Sequence, residues 1–363
     1  MERRDRRDPF LSGLILAVVA LITVLPEYAV DIYYAFQAGR NPRSDYVGYA
    51  AANMTGANRL LIGFAWPLLV FLHWRRSGAK AIDLSPANST ELAFLLGASL
   101  YAFVILARGH IGITDTAILV ALYALYLWRV SCQPRAEEGE DDEPGPASAL
   151  KLLQPSMQWT FMGGLALFAA AVIVFSAEPF AEAMVDSGRR LGMDEFLLIQ
   201  WLAPLASEAP AVTLVVLFVL AGRATNGLST MISDKINQWT LLVGMLPLAV
   251  SAGAGSLASL PLSTRQDEEF FLTAAQSLFG LGLLLTLRLG TRGALALFVL
   301  FVAQLVLAFV LQDDPVQTVR ALTAFGWVYI ALAAVLFVVH AKRLVGILRN
   351  ALGLESSAVN INH

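Results

Sequence analysis

Long apolar runs separated by short polar stretches dominate this chain. A helix that crosses the hydrocarbon core of a membrane needs about 20 mostly apolar residues. Ten runs meet that length, at roughly 10–38, 45–73, 89–107, 113–131, 157–187, 194–222, 229–252, 269–288, 293–312 and 318–341. No short segments with alternating polarity occur, and lipid offers an open backbone no hydrogen-bond partner. The pattern predicts an all-α polytopic membrane protein with about ten transmembrane helices.

Composition supports this prediction and excludes several classes of function. The 363 residues are 57% hydrophobic and only 15% charged, whereas soluble domains carry about 25% charged residues. The four histidines show neither metal-ligand spacing nor a nucleophile partner, and the chain contains no phosphate-binding loop, zinc motif or basic nucleic-acid face. We therefore expect a protein that is not an enzyme, needs no cofactor and binds no nucleic acid. Its expected partners are the lipid bilayer and inorganic cations.

Two carboxylates interrupt apolar runs in a repeated context. Glu27 directly follows a proline, and Glu208 lies between two prolines. A polar residue comes 26 positions after each glutamate, namely Asn53 and Asp234. Ten positions beyond these, the first copy ends in Leu-Leu-Ile-Gly and the second in Leu-Leu-Val-Gly. Ionisable residues inside membrane helices mark ion pathways, and a doubled pair is typical of one site built from two half-sites.

The basic residues predict the orientation of the helices. Lys and Arg accumulate in cytoplasmic loops. With the N-terminus in the cytoplasm, 16 basic residues fall in cytoplasmic segments and 7 in outer loops. Both termini are therefore expected on the cytoplasmic side of a bacterial plasma (inner) membrane. In this orientation the Glu27 helix runs outward and the Glu208 helix runs inward, so the chain is expected to contain two inverted α-repeats.

The chain divides into four parts. A first transmembrane half with α-repeat 1 covers 1–132, and an acidic cytoplasmic linker covers 133–154. A second transmembrane half with α-repeat 2 covers 155–345, and a cytoplasmic tail covers 346–363. The acidic linker is interpreted as a solvated hinge rather than a Ca²⁺-sensing strip, because it lacks the regular ligand spacing and central glycine of an EF-hand.

The two halves are unequal in length. A long apolar run, 157–187, precedes the Glu208 helix, and nothing comparable precedes the Glu27 helix. We expect either that a first helix has been lost or that the start is truncated.

The two half-sites together offer only oxygen ligands. A proline removes a backbone donor, so carbonyls near Thr23 are free to face a cation. Convergence of Glu27 and Asn53 with Glu208 and Asp234 would suit a hard cation such as Ca²⁺ or Na⁺. The alternative is that the acids are protonated or paired and stabilise helix contacts.

Each of the other polar residues in apolar runs has two possible interpretations. Asp31, one turn beyond Glu27, either lines the outer entrance or is an interfacial acid. Lys235 and Arg59 are expected to snorkel or to pair structurally. Three acids share a face near the outer end of 157–187 and form either a cation funnel or a solvated helix end: Glu178, Glu182 and Asp186.

These motifs resemble the cation/Ca²⁺ exchanger superfamily. Its repeats typically read Gly-Thr-Ser-x-Pro-Glu followed by Gly-Asn-x-x-Gly-Ser-Asn. The first copy here reads Thr-Val-Leu-Pro-Glu at 23–27 and Ala-Asn-Met-Thr-Gly-Ala-Asn at 52–58. The second copy is more divergent, with Pro-Leu-Ala-Ser-Glu at 204–208 and Ser-Asp-Lys at 233–235. The second copy looks like a prokaryotic branch of the superfamily.

The resemblance implies roles for particular residues. In the superfamily the two glutamates coordinate Ca²⁺ during alternating access, which corresponds to Glu27 and Glu208. Asn53 and Asp234 match the positions that complete the site. The implied function is a secondary active antiporter that exchanges Ca²⁺ for Na⁺ or H⁺.

The hydroxyl ligands of the superfamily are only partly present. Thr23 matches a position used for Na⁺, but its counterpart in the second copy is Pro204. Ser207 is a substitute that is displaced along the helix. This departure keeps two alternatives open, a monovalent cation/proton antiporter and a non-transporting membrane scaffold.

Overall fold

The computed structural model describes residues 9–132 and 154–353, with residues 9–23 and 155–156 described by their backbone alone. Most of the described chain is helical. The helices are α1 (Pro9–Arg40), α2 (Tyr46–Leu60), α3 (Trp66–Ser77), α4 (Ser89–Arg108), α5 (Ile113–Ser131), α6 (Pro155–Leu191), α7 (Glu195–Ser207), α8 (Ala209–Leu220), α9 (Ala224–Asn237), α10 (Val243–Ala254), α11 (Thr264–Leu284), α12 (Thr291–Val310), α13 (Pro315–Val339) and α14 (Ala341–Leu352). The predicted acidic linker lies outside the described residues except for Gln154. The first part of the predicted tail is helical, as α14.

The described helices include seven stretches long and apolar enough to cross a membrane: Tyr46–Ser77, Pro86–Arg108, Ile113–Ser131, Met157–Leu191, Ala224–Ala254, Thr291–Val310 and Pro315–Val339. The pair α7 and α8, bent by 47° at Glu208, brings the number to eight if it counts as one span. The ten predicted spans are therefore not confirmed, although each predicted run coincides with helix. The run at 269–288 corresponds to α11, whose first turns carry Asp267, Glu268 and Glu269.

Two small antiparallel sheets tie the first half of the chain to the second. β1 (Ala81–Asp83) pairs with β4 (Arg288–Gly290), and β2 (His110–Ile111) pairs with β3 (Leu260–Pro261). The helix α4 runs from β1 to β2, so the two sheets lie at opposite ends of the bundle. Hydropathy did not predict them, because strands of two or three residues leave no periodic signal.

Glycines allow helices from the two halves to cross at backbone contact. A Cβ on Gly39 of α1 would lie 2.0 Å from the carbonyl oxygen of Val250, and one on Gly253 of α10 would lie 2.0 Å from that of Phe36. A Cβ on Gly56 of α2 would lie 1.8 Å from the carbonyl oxygen of Gln200 on α7. Small residues at helix crossings are how membrane bundles bring backbones together.

Each half contains a π-helical segment in the membrane-crossing stretch that follows the helix carrying its glutamate. Leu61–Ala65 joins α2 to α3, and Gln238–Leu242 joins α9 to α10. Short π segments inside α-helices are frequent at functional sites because the wider turn changes which way the side chains face. Both segments are buried in the bundle.

The helix α6 differs from the rest because its apolar residues face outward. Phe168 is 67% exposed and Phe175 is 82% exposed. An apolar surface of this extent on a helix of 37 residues is the surface that lipid covers. α6 packs instead by its other face against α1 and α7.

Candidate functional site

The two glutamates predicted from the sequence meet in the middle of the bundle. Glu27 lies inside α1 directly after Pro26 and is 1% exposed. Glu208 is the residue between α7 and α8 and is 5% exposed. Their carboxyl groups interact directly, although 181 residues separate them in the chain.

Prolines explain the local geometry at both acids. Pro210 has no N–H to donate to the carbonyl one turn earlier, and the helix bends by 47° between α7 and α8. The amide of Glu208 still donates to the carbonyl of Pro204 at 2.8 Å, so the bend begins at Glu208 itself. Pro26 likewise leaves a carbonyl of α1 without its helical donor.

A glutamine that the sequence analysis missed joins the two acids. The side-chain Nε2 of Gln238 donates to Glu27 Oε2 at 3.0 Å and to Glu208 Oε1 at 2.5 Å. Gln238 is the first residue of the second π-helical segment and is fully buried. Its spacing is a signal that was available, because it lies one helical turn beyond Asp234 on the same face.

Asp31 and Asn53 form a second buried pair beside the glutamates. Asn53 Nδ2 donates to Asp31 Oδ1 at 2.8 Å, and neither side chain is exposed. Asp31 lies one turn beyond Glu27 and is close enough to interact with it electrostatically. Neither predicted position for Asp31, at the outer entrance or at the interface, is correct, because the packing of α1 against α2 buries it.

Four oxygens at this place have no hydrogen-bond donor. They belong to adjoining side chains and are all buried: Glu27 Oε1, Asp31 Oδ2, Asn53 Oδ1 and Gln238 Oε1. A buried oxygen without a partner costs free energy. A hard cation removes that cost because it takes carboxylate and amide oxygens as ligands. The donor set therefore fits a hard cation.

The other predicted site residues make no described hydrogen bond to the glutamate pair. Asp234 is half-buried and interacts with Glu208 electrostatically, but no hydrogen bond joins it to the residues above. Ser207 Oγ donates to the carbonyl of Pro204 in its own helix at 3.4 Å. Thr23 falls in the stretch described by its backbone alone. Within the described residues, no group of three or more His, Cys, Asp or Glu side chains forms a metal-binding cluster.

Two buried cations next to the site are paired and do not snorkel. Lys235 Nζ donates to the backbone oxygen of Asn58 at 2.8 Å and to its Oδ1 at 2.7 Å. Arg59 forms an ion pair with Glu269, and both side chains are 1% exposed. Lys235 also lies over the ring of Trp239, at 5.3 Å from its centroid. The geometry therefore supports a structural role for Lys235 and Arg59, as the sequence predicts.

The three acids near the end of α6 do not behave alike. Glu182 is half-buried and accepts hydrogen bonds from Tyr33, at 2.6 Å, and from Tyr46. Glu178 and Asp186 are exposed. The tyrosines join α1 and α2 to α6, so Glu182 is a contact between helices and not part of a solvated funnel.

Comparisons with known proteins agree with this architecture. The family described as "Sodium/calcium exchanger protein" matches residues 7–131 and 161–310. A crystal structure of the H⁺/Ca²⁺ exchanger CAX is 41% identical in sequence and matches with a TM-score of 0.85, over 94% of this chain and 84% of that chain. Structures of the sodium–calcium exchanger NCX_Mj match with a TM-score of 0.52 at 16% identity, over 80% of this chain and 84% of that chain, and show the fold alone.

A comparison with curated proteins finds no match. The family match covers well over half of the chain, and it agrees with the resemblance carried by the repeated Pro-Glu motifs. Members of this family are ion exchangers and not enzymes. The chain therefore belongs to the sodium/calcium exchanger protein family, within the cation/Ca²⁺ exchanger superfamily, and is an integral membrane protein.

Proposed function

We propose that this protein is a Ca²⁺/H⁺ antiporter that holds both cargoes at the same two glutamates. The observation that carries the proposal is the adjacent buried pair Glu27 and Glu208, joined by Gln238. Two carboxylates this close in a buried site repel each other, so their charge has to be neutralised by a cation or by protons. Mutually exclusive occupancy of one site by two cargoes is the basis of antiport.

The ligand chemistry favours a divalent ion over a monovalent one. Glu27 and Glu208 together supply two negative charges, and Asn53 and Gln238 supply neutral oxygens. Ca²⁺ takes six to eight oxygen ligands, including bidentate carboxylates. Asp31, paired with Asn53, adds a further buried carboxylate next to the site, and Asp234 acts on Glu208 through its charge.

The coupling ion is proposed to be the proton. The Na⁺ site implied by the resemblance needs a hydroxyl in each repeat. Pro204 stands at the counterpart of Thr23, and the hydroxyl of Ser207 is directed to its own helix. The structure that is 41% identical is that of an H⁺/Ca²⁺ exchanger, whereas the sodium–calcium exchanger structures are 16% identical.

The path of the chain supports the inverted repeats and the placement of both termini in the cytoplasm. Following the helices from one sheet to the other, α1 and the pair α7 and α8 cross the bundle in opposite directions. The start of α1 and the helix α14 then fall at the same end, where the basic residues accumulate. This arrangement is consistent with alternating access through a site between two repeats.

Ion gradients across proteoliposomes test the coupling. With an imposed pH gradient, acidic inside, we expect the wild-type protein to accumulate ⁴⁵Ca²⁺ and to release protons as it does so. A Na⁺ gradient of the same size and direction, with equal pH on both sides, is expected to drive no more ⁴⁵Ca²⁺ uptake than is seen in protein-free vesicles. Uptake with Na⁺ alone would contradict the proton coupling. Proton release driven by K⁺ or Na⁺ without Ca²⁺ uptake would show a monovalent cation antiporter, and inactivity under all gradients would indicate a scaffold.

Replacing Gln238 tests its role as the joining amide. Gln238→Leu removes the N–H donor to both glutamates and one neutral oxygen ligand. A single hydrogen bond to a charged group contributes roughly 1.5–3 kcal/mol. We expect Ca²⁺ affinity, measured by calorimetry, to fall roughly tenfold or more. The matched control is Gln317→Leu, because Gln317 is exposed at the start of α13. An unchanged affinity in Gln238→Leu would remove Gln238 from the site.

A further inference from the structure

An apolar groove edged by Arg129 lies at the end of the bundle where α14 packs. Its walls come from α4, α5 and α14, and its volume is about 440 Å³. The lining is almost wholly apolar and includes Phe94, Leu122, Leu125, Trp128 and Leu348. Trp128 is 59% exposed at the last turn of a membrane-crossing helix. Tryptophan at that position is typical of the interface between lipid tails and headgroups.

Arg129 closes one end of this groove and holds α14 in place. Its Nε donates to the carbonyl oxygen of Ala351 at 2.8 Å, and its guanidinium lies against Gly353. The other N–H groups of Arg129 have no carboxylate partner among the residues that the structure describes. Arginine presents a fork of donors that matches phosphate oxygens.

Further cations follow one stripe of α14. Lys342, Val345, Arg349 and Leu352 are spaced by three and four residues and therefore share a face of the helix. All four side chains are exposed. Within 9–132 and 154–353, neither Lys342 nor Arg349 forms an ion pair. A short basic helix with an apolar face is the kind of element that lies in a membrane interface.

We propose that this groove, formed by α4, α5 and α14, binds one anionic phospholipid. An acyl chain fills the apolar wall beside Phe94 and Leu122, and the headgroup phosphate lies between Arg129 and the Lys342–Arg349 stripe. The groove opens beside α4 and α5, which cross the membrane, so lipid has direct access to it. Basic clusters next to a membrane-crossing helix attract anionic lipid through charge.

The groove is connected to the cation-binding half-site through α5. Tyr126 lies one turn before Arg129 and shares a hydrogen bond of 2.8 Å with Ser233, the residue before Asp234. A lipid that holds the end of α5 against α14 therefore also supports the position of α9. The lipid site is independent of which ions are exchanged, because none of its residues belongs to the glutamate pair.

Binding of phosphatidylglycerol to the purified full-length chain tests the proposal. In detergent, phosphatidylglycerol is expected to raise the melting temperature and to bind saturably, while phosphatidylcholine with the same acyl chains does neither. The double variant Lys342→Gln, Arg349→Gln is expected to bind phosphatidylglycerol roughly thirtyfold more weakly. The control is Arg320→Gln, which is expected to bind phosphatidylglycerol like the wild type. Arg320 is exposed near the start of α13, at the end of that helix away from α14.

Three results would overturn the lipid site. The first is equal stabilisation by both lipids, and the second is equal binding of phosphatidylglycerol by the double variant and the wild type. The third concerns the acidic linker, which is an anionic alternative within the chain. The linker, and not a lipid, occupies the groove if two results are seen in the absence of lipid. Neutralising the linker's acidic residues lowers the melting temperature, and the double variant lowers it by the same amount.

Discussion

Replacing Glu208 with glutamine is expected to abolish Ca²⁺ uptake into proteoliposomes, with an initial rate at least about thirtyfold below that of the wild type. Glutamine keeps the shape of the side chain and still accepts the hydrogen bond from Gln238, so the variant is expected to fold. In the proposed site, it removes one of the two charges that neutralise the divalent ion. Losing one partner of a buried charged contact costs about 2–5 kcal/mol, and each 1.4 kcal/mol is tenfold. Glu27→Gln is expected to have the same effect.

Asp234→Asn is the matched control for this prediction. It removes the same charge from a residue only four positions from Gln238, but Asp234 makes no hydrogen bond to the glutamate pair. We expect its uptake rate to stay within about threefold of the wild type, since it acts on Glu208 only through its charge at a distance. A loss in Asp234→Asn as large as that in Glu208→Gln would support Asp234 as a direct ligand, as the spacing of 26 residues predicts.

Breaking the buried ion pair between Arg59 and Glu269 is expected to produce the largest loss of stability. Both side chains are 1% exposed, and Arg59→Met leaves the carboxylate of Glu269 buried beside that of Glu268. Removing one partner of a buried pair costs about 3–5 kcal/mol, because the remaining charge has no compensation. We expect the melting temperature, followed by intrinsic fluorescence in detergent, to fall by more than about 5 °C.

Two further variants separate this effect from a loss of packing. Arg59→Met combined with Glu269→Leu removes both charges and is expected to recover most of the melting temperature, since apolar replacement of a buried pair is often neutral. Arg288→Gln breaks the exposed pair with Asp83, whose side chains are 58% and 73% exposed, and is expected to change the melting temperature by about 1 °C or less. If Arg59→Met behaves like Arg288→Gln, the buried pair contributes nothing to stability.

The sequence predicted the helices and the meeting of Glu27 with Glu208, and the physical reasons are clear. A membrane forces apolar runs into helices, and an acid inside such a run has to face another polar group or water. The repeated Pro-Glu context then indicates that the two acids belong to one site. The family that this context resembles is the family that the comparisons show.

The remaining site residues depend on rotation about the helix axis, which spacing does not determine. An equal distance of 26 residues says how far along the chain Asp234 lies, not which way it faces. Gln238 begins a π-helical turn, and its uncharged side chain does not draw attention to it; only its spacing of one helical turn from Asp234 indicates it in the sequence. Asp31 was misplaced because one turn of helix separates it from Glu27, and only the packing of α1 against α2 shows that this turn is still buried.

The glycine crossings described above limit how the molecule can move. Gly39 with Gly253, and Gly56 against Gln200, interlock α1 with α10 and α2 with α7 at backbone contact. Each crossing joins a helix of the first half to one of the second, so the halves cannot slide past each other there without separating backbones. These four helices form a fixed frame around the glutamates. Opening the site to either side of the membrane therefore involves elements outside that frame, such as α6, whose outward face is apolar and exposed.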